Sequence, residues 1–126
     1  MKRATFMSIA ALLALLFGLA FLIIPVRTMA MYDVTLDISG QFVARYLGSA
    51  FLGIGILTWS ARNADPNEAG LRAIILGAFI LSITGFIASL FDVFQGPGNN
   101  MVWSTVAIYF FLMLGFGYFQ FGASAD

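Results

Sequence analysis

Two residues hold most of the chemistry available to this sequence. Arg45 opens the hydrophobic stretch Arg45–Trp59 and lies about a turn inside the outer edge of its span, and Asp92 closes a second apolar stretch that begins near Leu71. A charge at mid-membrane costs roughly 2.5–3.5 kcal/mol on insertion scales, and less toward a span end, where the side chain can snorkel. A guanidinium in such a place is expected to find a partner. The turn between the two stretches centres near Pro66 and Asn67. Counting outward along both arms puts Asp92 about one helical turn, roughly 5 Å, beyond Arg45. The spacing therefore predicts an Arg45–Asp92 ion pair. Its simplest role is a clasp locking two helices. The alternative is a site at the outer interface, with Arg45 holding an anionic lipid headgroup or a small anion and Asp92 orienting it. Asp33, Asp37 and Gln95 are secondary partners in the same layer. A proton relay would need a chain of titratable groups, and Asp92 stands nearly alone.

Other chemistry is excluded by what is missing. The sequence has no Cys and no His. Disulfides, thiol nucleophiles, thiolate or imidazole metal sites and His- or Cys-ligated haem are thereby ruled out, along with the commonest general base. Asp33 and Asp37 are one helical turn apart, but two carboxylates fall short of the six to eight oxygens calcium takes. Ser49, Ser82, Thr84 and Ser89 have no base beside them, and intramembrane hydroxyls mostly bond back to their own helix. Asn99-Asn100-Met101 lacks the Ser or Thr of a glycosylation acceptor. Six basic residues balance six acidic ones without a charged block, which argues against nucleic acid as a partner. No cofactor, metal or catalytic residue is expected, and the chain is expected not to be an enzyme.

The elements that must position Arg45 and Asp92 are membrane helices. Of the 126 residues, 61% are hydrophobic and 10% charged, and the mean hydropathy is +0.97. A soluble domain averages roughly 45–50% apolar and about 25% charged. At roughly 20 residues per span, four spans fill the chain, about 5–26, 42–61, 71–91 and 101–121. The expected architecture is all-α, a single four-helix transmembrane domain over residues 1–126. The first run is longer than the apolar centre of a secretory signal, about 7–15 residues, so it is expected to be a retained span ended by Pro25 and Arg27. Asp37 or Ser39 can cap the second span. Asp65-Pro66-Asn67 signals a turn, with Pro66 able to open the third helix and Asp65 to cap it. So short a connection predicts antiparallel, neighbouring second and third spans. Gln95–Asn100 is a second turn, and a polar tail ends the chain at Asp126.

Basic residues near span ends set orientation. Lys2, Arg3, Arg62 and Arg72 share one side, Arg27 and Arg45 the other. Both termini are expected in the cytoplasm, with the protein multi-pass in the cell inner (plasma) membrane. Trp103, Tyr32 and Tyr46 would then belt the outer interface, and Trp59 and Tyr118 the inner one.

Lipid does not drive apolar helices together, so small residues mark close approach. Ala10, Ala14 and Gly18 make one stripe in the first span. Ala78, Ser82, Gly85 and Ser89, running on to Asp92, make another in the third. In the second span, Gly48 and Gly55 flank the Arg45 face on one side and Ser49 and Gly53 on the other, at about 100° per residue. Two small flanks predict a central helix with a neighbour on each.

Tyr32-Asp-Val-Thr-Leu-Asp37, Ala44-Arg-Tyr-Leu-Gly48 with Gly53-Ile-Gly55, and Leu114-Gly-Phe-Gly-Tyr-Phe119 carry a resemblance. The sequence resembles a family of small bacterial membrane proteins with four spans and no assigned activity. The likeness covers most of the chain, supports the span count and singles out Arg45. Small multidrug exporters carry a glutamate within the first span, which is missing here. Dual-topology fluoride channels break their third span around a sodium site, and no such break lies between Leu71 and Phe91. The leading expectation is a non-enzymatic accessory or structural subunit of a membrane assembly, or a homo-oligomer, with membrane lipid and other subunits or a second copy as partners. The alternative is a binding or transport module for a lipid or a small apolar or anionic molecule, with Arg45 at the outer interface.

Overall fold

In the computed structural model the chain is all-helical over the described residues, 1–122. The helices are α1 (Arg3–Ile23), α2 (Pro25–Ala30), α3 (Ile38–Ala61), α4 (Ala69–Gln95) and α5 (Val102–Gly117), the last running into a π-helical turn at Tyr118–Gly122. Four segments are long and apolar enough to cross a membrane: α1, α3, α4, and α5 with its π turn. The polar tail 123–126 lies outside the described residues.

Local chemistry explains the boundaries. Pro25 has no N–H for a helical bond, and its ring crowds the preceding turn. α1 accordingly stops at Ile23, and Pro25 instead opens α2 at its first position. The span expected to reach residue 26 is thus shorter, and part of the long connection is helical. Asp37 caps α3, its carboxylate accepting the Gly40 N–H at 2.7 Å. Pro66 does not open α4. The Asp65 carboxylate accepts the Asn67 N–H at 2.8 Å, a local turn that delays the helix to Ala69. α4 continues one turn beyond the expected end, so Asp92 lies on the helix. Gly96-Pro97-Gly98 then breaks it, with Gly98 at φ +115, a conformation that L side chains rarely adopt.

The bundle is two helical hairpins. α1 packs along α3, and α4 along α5. Consecutive α3 and α4 are antiparallel but touch at only a few points, so the expected close pairing of the second and third spans does not form. The close-approach residues explain the difference. A Cβ on Gly48 would sit 2.6 Å from the Gly18 carbonyl oxygen and 2.7 Å from the Leu22 nitrogen. A Cβ on Gly55 would sit 2.7 Å from Leu15. This flank of α3 is taken by α1. On α4, Gly85 receives the Tyr109 ring of α5, 2.3 Å from where a Cβ would stand. Each glycine draws its helix toward its hairpin partner, and nothing draws α3 to α4.

The hairpins join at the end of the bundle that holds the N-terminus. There Phe6, Met7, Leu71, Ile75, Leu112 and Phe116 form the buried core. Phe6 meets Phe116 edge-on at 4.9 Å between centroids and lies against Gly115. Arg3 donates to the Ala64 carbonyl, tying α1 to the α3–α4 turn. At the opposite end, the segment 31–37 is fastened to the start of α5. The Tyr32 and Thr105 hydroxyls are 3.0 Å apart, and Asn99 Nδ2 donates to the Met31 carbonyl at 3.2 Å. Leu16, Ile23, Val43, Ile56, Ile87 and Phe94 are among the large apolar side chains left on the exterior, as a helix surface facing lipid requires.

Candidate functional site

Between the hairpins runs a cavity of about 750 Å³. That is within the roughly 300–1,000 Å³ typical of small-molecule sites. α1, α3, α4 and α5 all contribute lining. On α4 the lining extends from Ala78 to Asp92, about 21 Å of helix at roughly 1.5 Å per residue. The site is therefore long and narrow, and its walls are overwhelmingly apolar. Side-chain packing closes the N-terminal end, and at the other the Tyr32–Thr105 contact ties the segment 31–37 to α5.

The small residues read from the sequence fall into two groups. Ala10, Ala14, Ala78, Ser82, Gly85 and Ser89 line the cavity. Ala10 and Ala78 also belong to the buried core that joins the hairpins, so the α1 and α4 stripes meet at that end and part across the cavity beyond it. Gly18, Gly48 and Gly55 make the α1–α3 contact as expected of packing glycines. Ser49 is exposed, and a Cβ on Gly53 would meet nothing within 4 Å. The second flank of α3 has no neighbour among the described residues, so α3 is not the central helix.

The Arg45–Asp92 ion pair is absent. Arg45 is exposed and forms no ion pair among the described residues. The buried stripe of α3 is Ala44, Gly48, Gly55 and Thr58, and Arg45 stands about 100° around the helix from Ala44. Counting along the arms gave a compatible depth, but the direction is wrong. Asp33, Asp37 and Gln95 do not pair with it either.

Asp92 instead lines the cavity, and it is the sole charged residue to do so among those described. It lies in the last turn of α4, where the helix dipole disfavours a carboxylate, and no described cation compensates it. Most other polar groups in the wall are already satisfied. Ser82 donates to Ala78 O at 2.7 Å, Ser89 to Phe86 O at 2.9 Å and Thr58 to Ile54 O at 2.8 Å. Ser39, near the Asp92 end, and Tyr109 line the cavity without a side-chain hydrogen bond among the described residues. Gly85, which seats the Tyr109 ring, is two helical turns below Asp92, about 10 Å. Sequence reasoning passed over Tyr109 as one of many aromatics in its span. The legible signal was Gly85, in a stripe of small residues that a large ring could fill.

A second opening of about 340 Å³ lies between α3 and α4, at Ala50, Phe51, Ile54, Thr84, Gly85 and Tyr109. It shares Phe51, Ile54, Gly85 and Tyr109 with the main cavity. Of the aromatics expected at the interfaces, Trp59, Trp103, Tyr46 and Tyr118 are exposed on the exterior. Tyr32 is half-buried, with its hydroxyl against Thr105 where the segment 31–37 meets α5.

Against family models, curated proteins and solved structures, the chain finds no match.

Proposed function

We propose that this is a membrane-embedded binding module for a lipid or a small amphiphile with one long apolar chain, non-enzymatic, with the site between its two hairpins. The observation that supports it most is the long apolar cavity bounded by all four long helices, with a lone carboxylate at one end. Interior volume of this kind is costly in a bundle held only by its own packing, because the lining atoms forgo contacts on one side. A bound chain supplies those contacts. Arg45 plays no part in this reading. We further place the protein in the inner membrane of a bacterium with both termini cytoplasmic, on the distribution of Lys2, Arg3, Arg62 and Arg72 against Arg27 and Arg45. A second reading, an accessory subunit or homo-oligomer, is favoured by the exposed Ser49–Gly53 flank of α3, where another helix could approach closely. The two readings are compatible.

The binding reading is tested by titrating dodecanol, an uncharged single-chain amphiphile, into purified protein and following thermal unfolding. The expected result is a saturable rise in melting temperature, abolished in Ala14→Phe, which fills part of the cavity. No saturable rise in the unaltered protein would reject the reading.

A further inference from the structure

We propose that the ligand carries a positive charge on its head, enters the cavity sideways from the bilayer between α3 and α4, and comes to rest with that head at Asp92. The proposal rests on the binding reading above and assigns the ligand's class and route.

The head is argued from charge. The wall offers one ionised group, Asp92, and no cation. The Asp92 carboxylate is an acceptor only. An anionic head, such as a fatty acid carboxylate, would meet like charge at this end, whereas an ammonium head would meet its complement. The basic side chains nearest in sequence to this end do not offset it: Arg27 and Arg45 are both exposed, and neither lines the cavity. Asp92 is itself exposed, so the head keeps its hydration and the carboxylate need not be desolvated beforehand. Ser39 stands at the same end and offers a further hydrogen-bonding group.

The route follows from the second opening. The N-terminal end is filled by the Phe6 cluster, and at the opposite end the Tyr32–Thr105 and Asn99–Met31 contacts tie the segment 31–37 to α5 while Ser39 and Asp92 stay exposed. The side between α3 and α4 is held by neither hairpin, and the second opening lies there, continuous with the main cavity. Its rim is apolar apart from the Tyr109 hydroxyl and Thr84, whose own hydroxyl bonds back to Ile80 and Leu81 at 3.0 Å. A hydrocarbon chain would cross it against mostly apolar side chains. The Tyr109 ring on Gly85 forms the inner edge of this opening, so the pair that separates α4 from α3 also shapes the passage.

The test uses full-length protein in phosphatidylcholine nanodiscs and three probes with the same chain: dodecylamine, dodecanol and dodecanoate. At neutral pH the expected order is dodecylamine tightest, at least tenfold over dodecanoate, which corresponds to about 1.4 kcal/mol. Asp92→Asn should bring the two within threefold while leaving dodecanol unchanged. Equal binding of amine and acid, or a preference that survives Asp92→Asn, overturns the head assignment. Failure of all three probes to bind would instead overturn the binding reading itself. For the route, the chain has no native cysteine, so Ala50→Cys with Thr84→Cys can be bridged across the opening by a flexible bis-maleimide. Dodecylamine uptake should slow at least tenfold on bridging, and not in either single-cysteine protein. Unchanged uptake in the bridged protein overturns lateral access.

Discussion

Arg45 and Asp92 show what residue-level reasoning can and cannot extract from an apolar chain. Both were identifiable because charges are rare in such a sequence. Their depth could be counted, but their direction around a helix could not, since that depends on which flank the neighbour takes. Arg45 points away from the other hairpin, so Arg45→Ala is expected to leave thermal stability within about 0.5 kcal/mol of the unaltered protein, as for surface substitutions generally. Thermal unfolding in detergent measures this, and the charge-swapped protein, Arg45→Asp with Asp92→Arg, should show no mutual rescue. Gly85 is the opposite case. Its missing side chain is occupied by Tyr109, with ring carbons 2.3–2.6 Å from the Cβ that Gly85→Ala would add. The ring must swing out, so this variant is expected to unfold earlier by about 1–3 kcal/mol and to lose saturable dodecanol binding. Tyr109→Phe removes only the hydroxyl, and should keep the fold.

At the scale of elements, the helices were legible and their pairing was not. Hydropathy over four runs, the Asp37 cap and the Gly96-Pro97-Gly98 stop follow from local chemistry. The short α3–α4 turn suggested neighbours, yet the partners are set by glycines whose contacts lie far away in sequence, Gly18 with Gly48 and Gly85 with Tyr109. The two flanks of α3 make the distinction testable within one helix. Gly48→Ala would press a methyl group into the backbone of Gly18 and Leu22, and should cost about 1–3 kcal/mol. Gly53→Ala meets nothing within 4 Å and should be neutral or slightly stabilising, since alanine restricts the unfolded chain more than glycine does. Thermal unfolding of the two variants side by side checks both. Similar losses in both would mean that α3 is packed on two sides.

As a whole molecule, the protein is two hairpins packed together at the N-terminal end, tied by the 31–37 segment at the other, and parted along one side. Hydropathy alone was enough for the class, an all-helical multi-pass membrane protein. The cavity was not legible, because the same small-residue stripes on α1 and α4 describe either a tight seam or the wall of a void. Only the positions of the large side chains distinguish the two, with Phe6 bridging the hairpins at one end and Tyr109 drawn back onto Gly85. Orientation has its own check: Ala64→Cys should be shielded from a membrane-impermeant maleimide added to intact cells, and Asn99→Cys should be labelled. The reverse pattern would invert the topology without touching the cavity. The most direct test of the site is native mass spectrometry of the protein released from its own membrane in mild detergent. The expected spectrum holds one single-chain amphiphile per protein molecule, retained through washing and absent from Ala14→Phe. A ligand-free protein, or the same adduct on both proteins, would contradict a binding site between the hairpins.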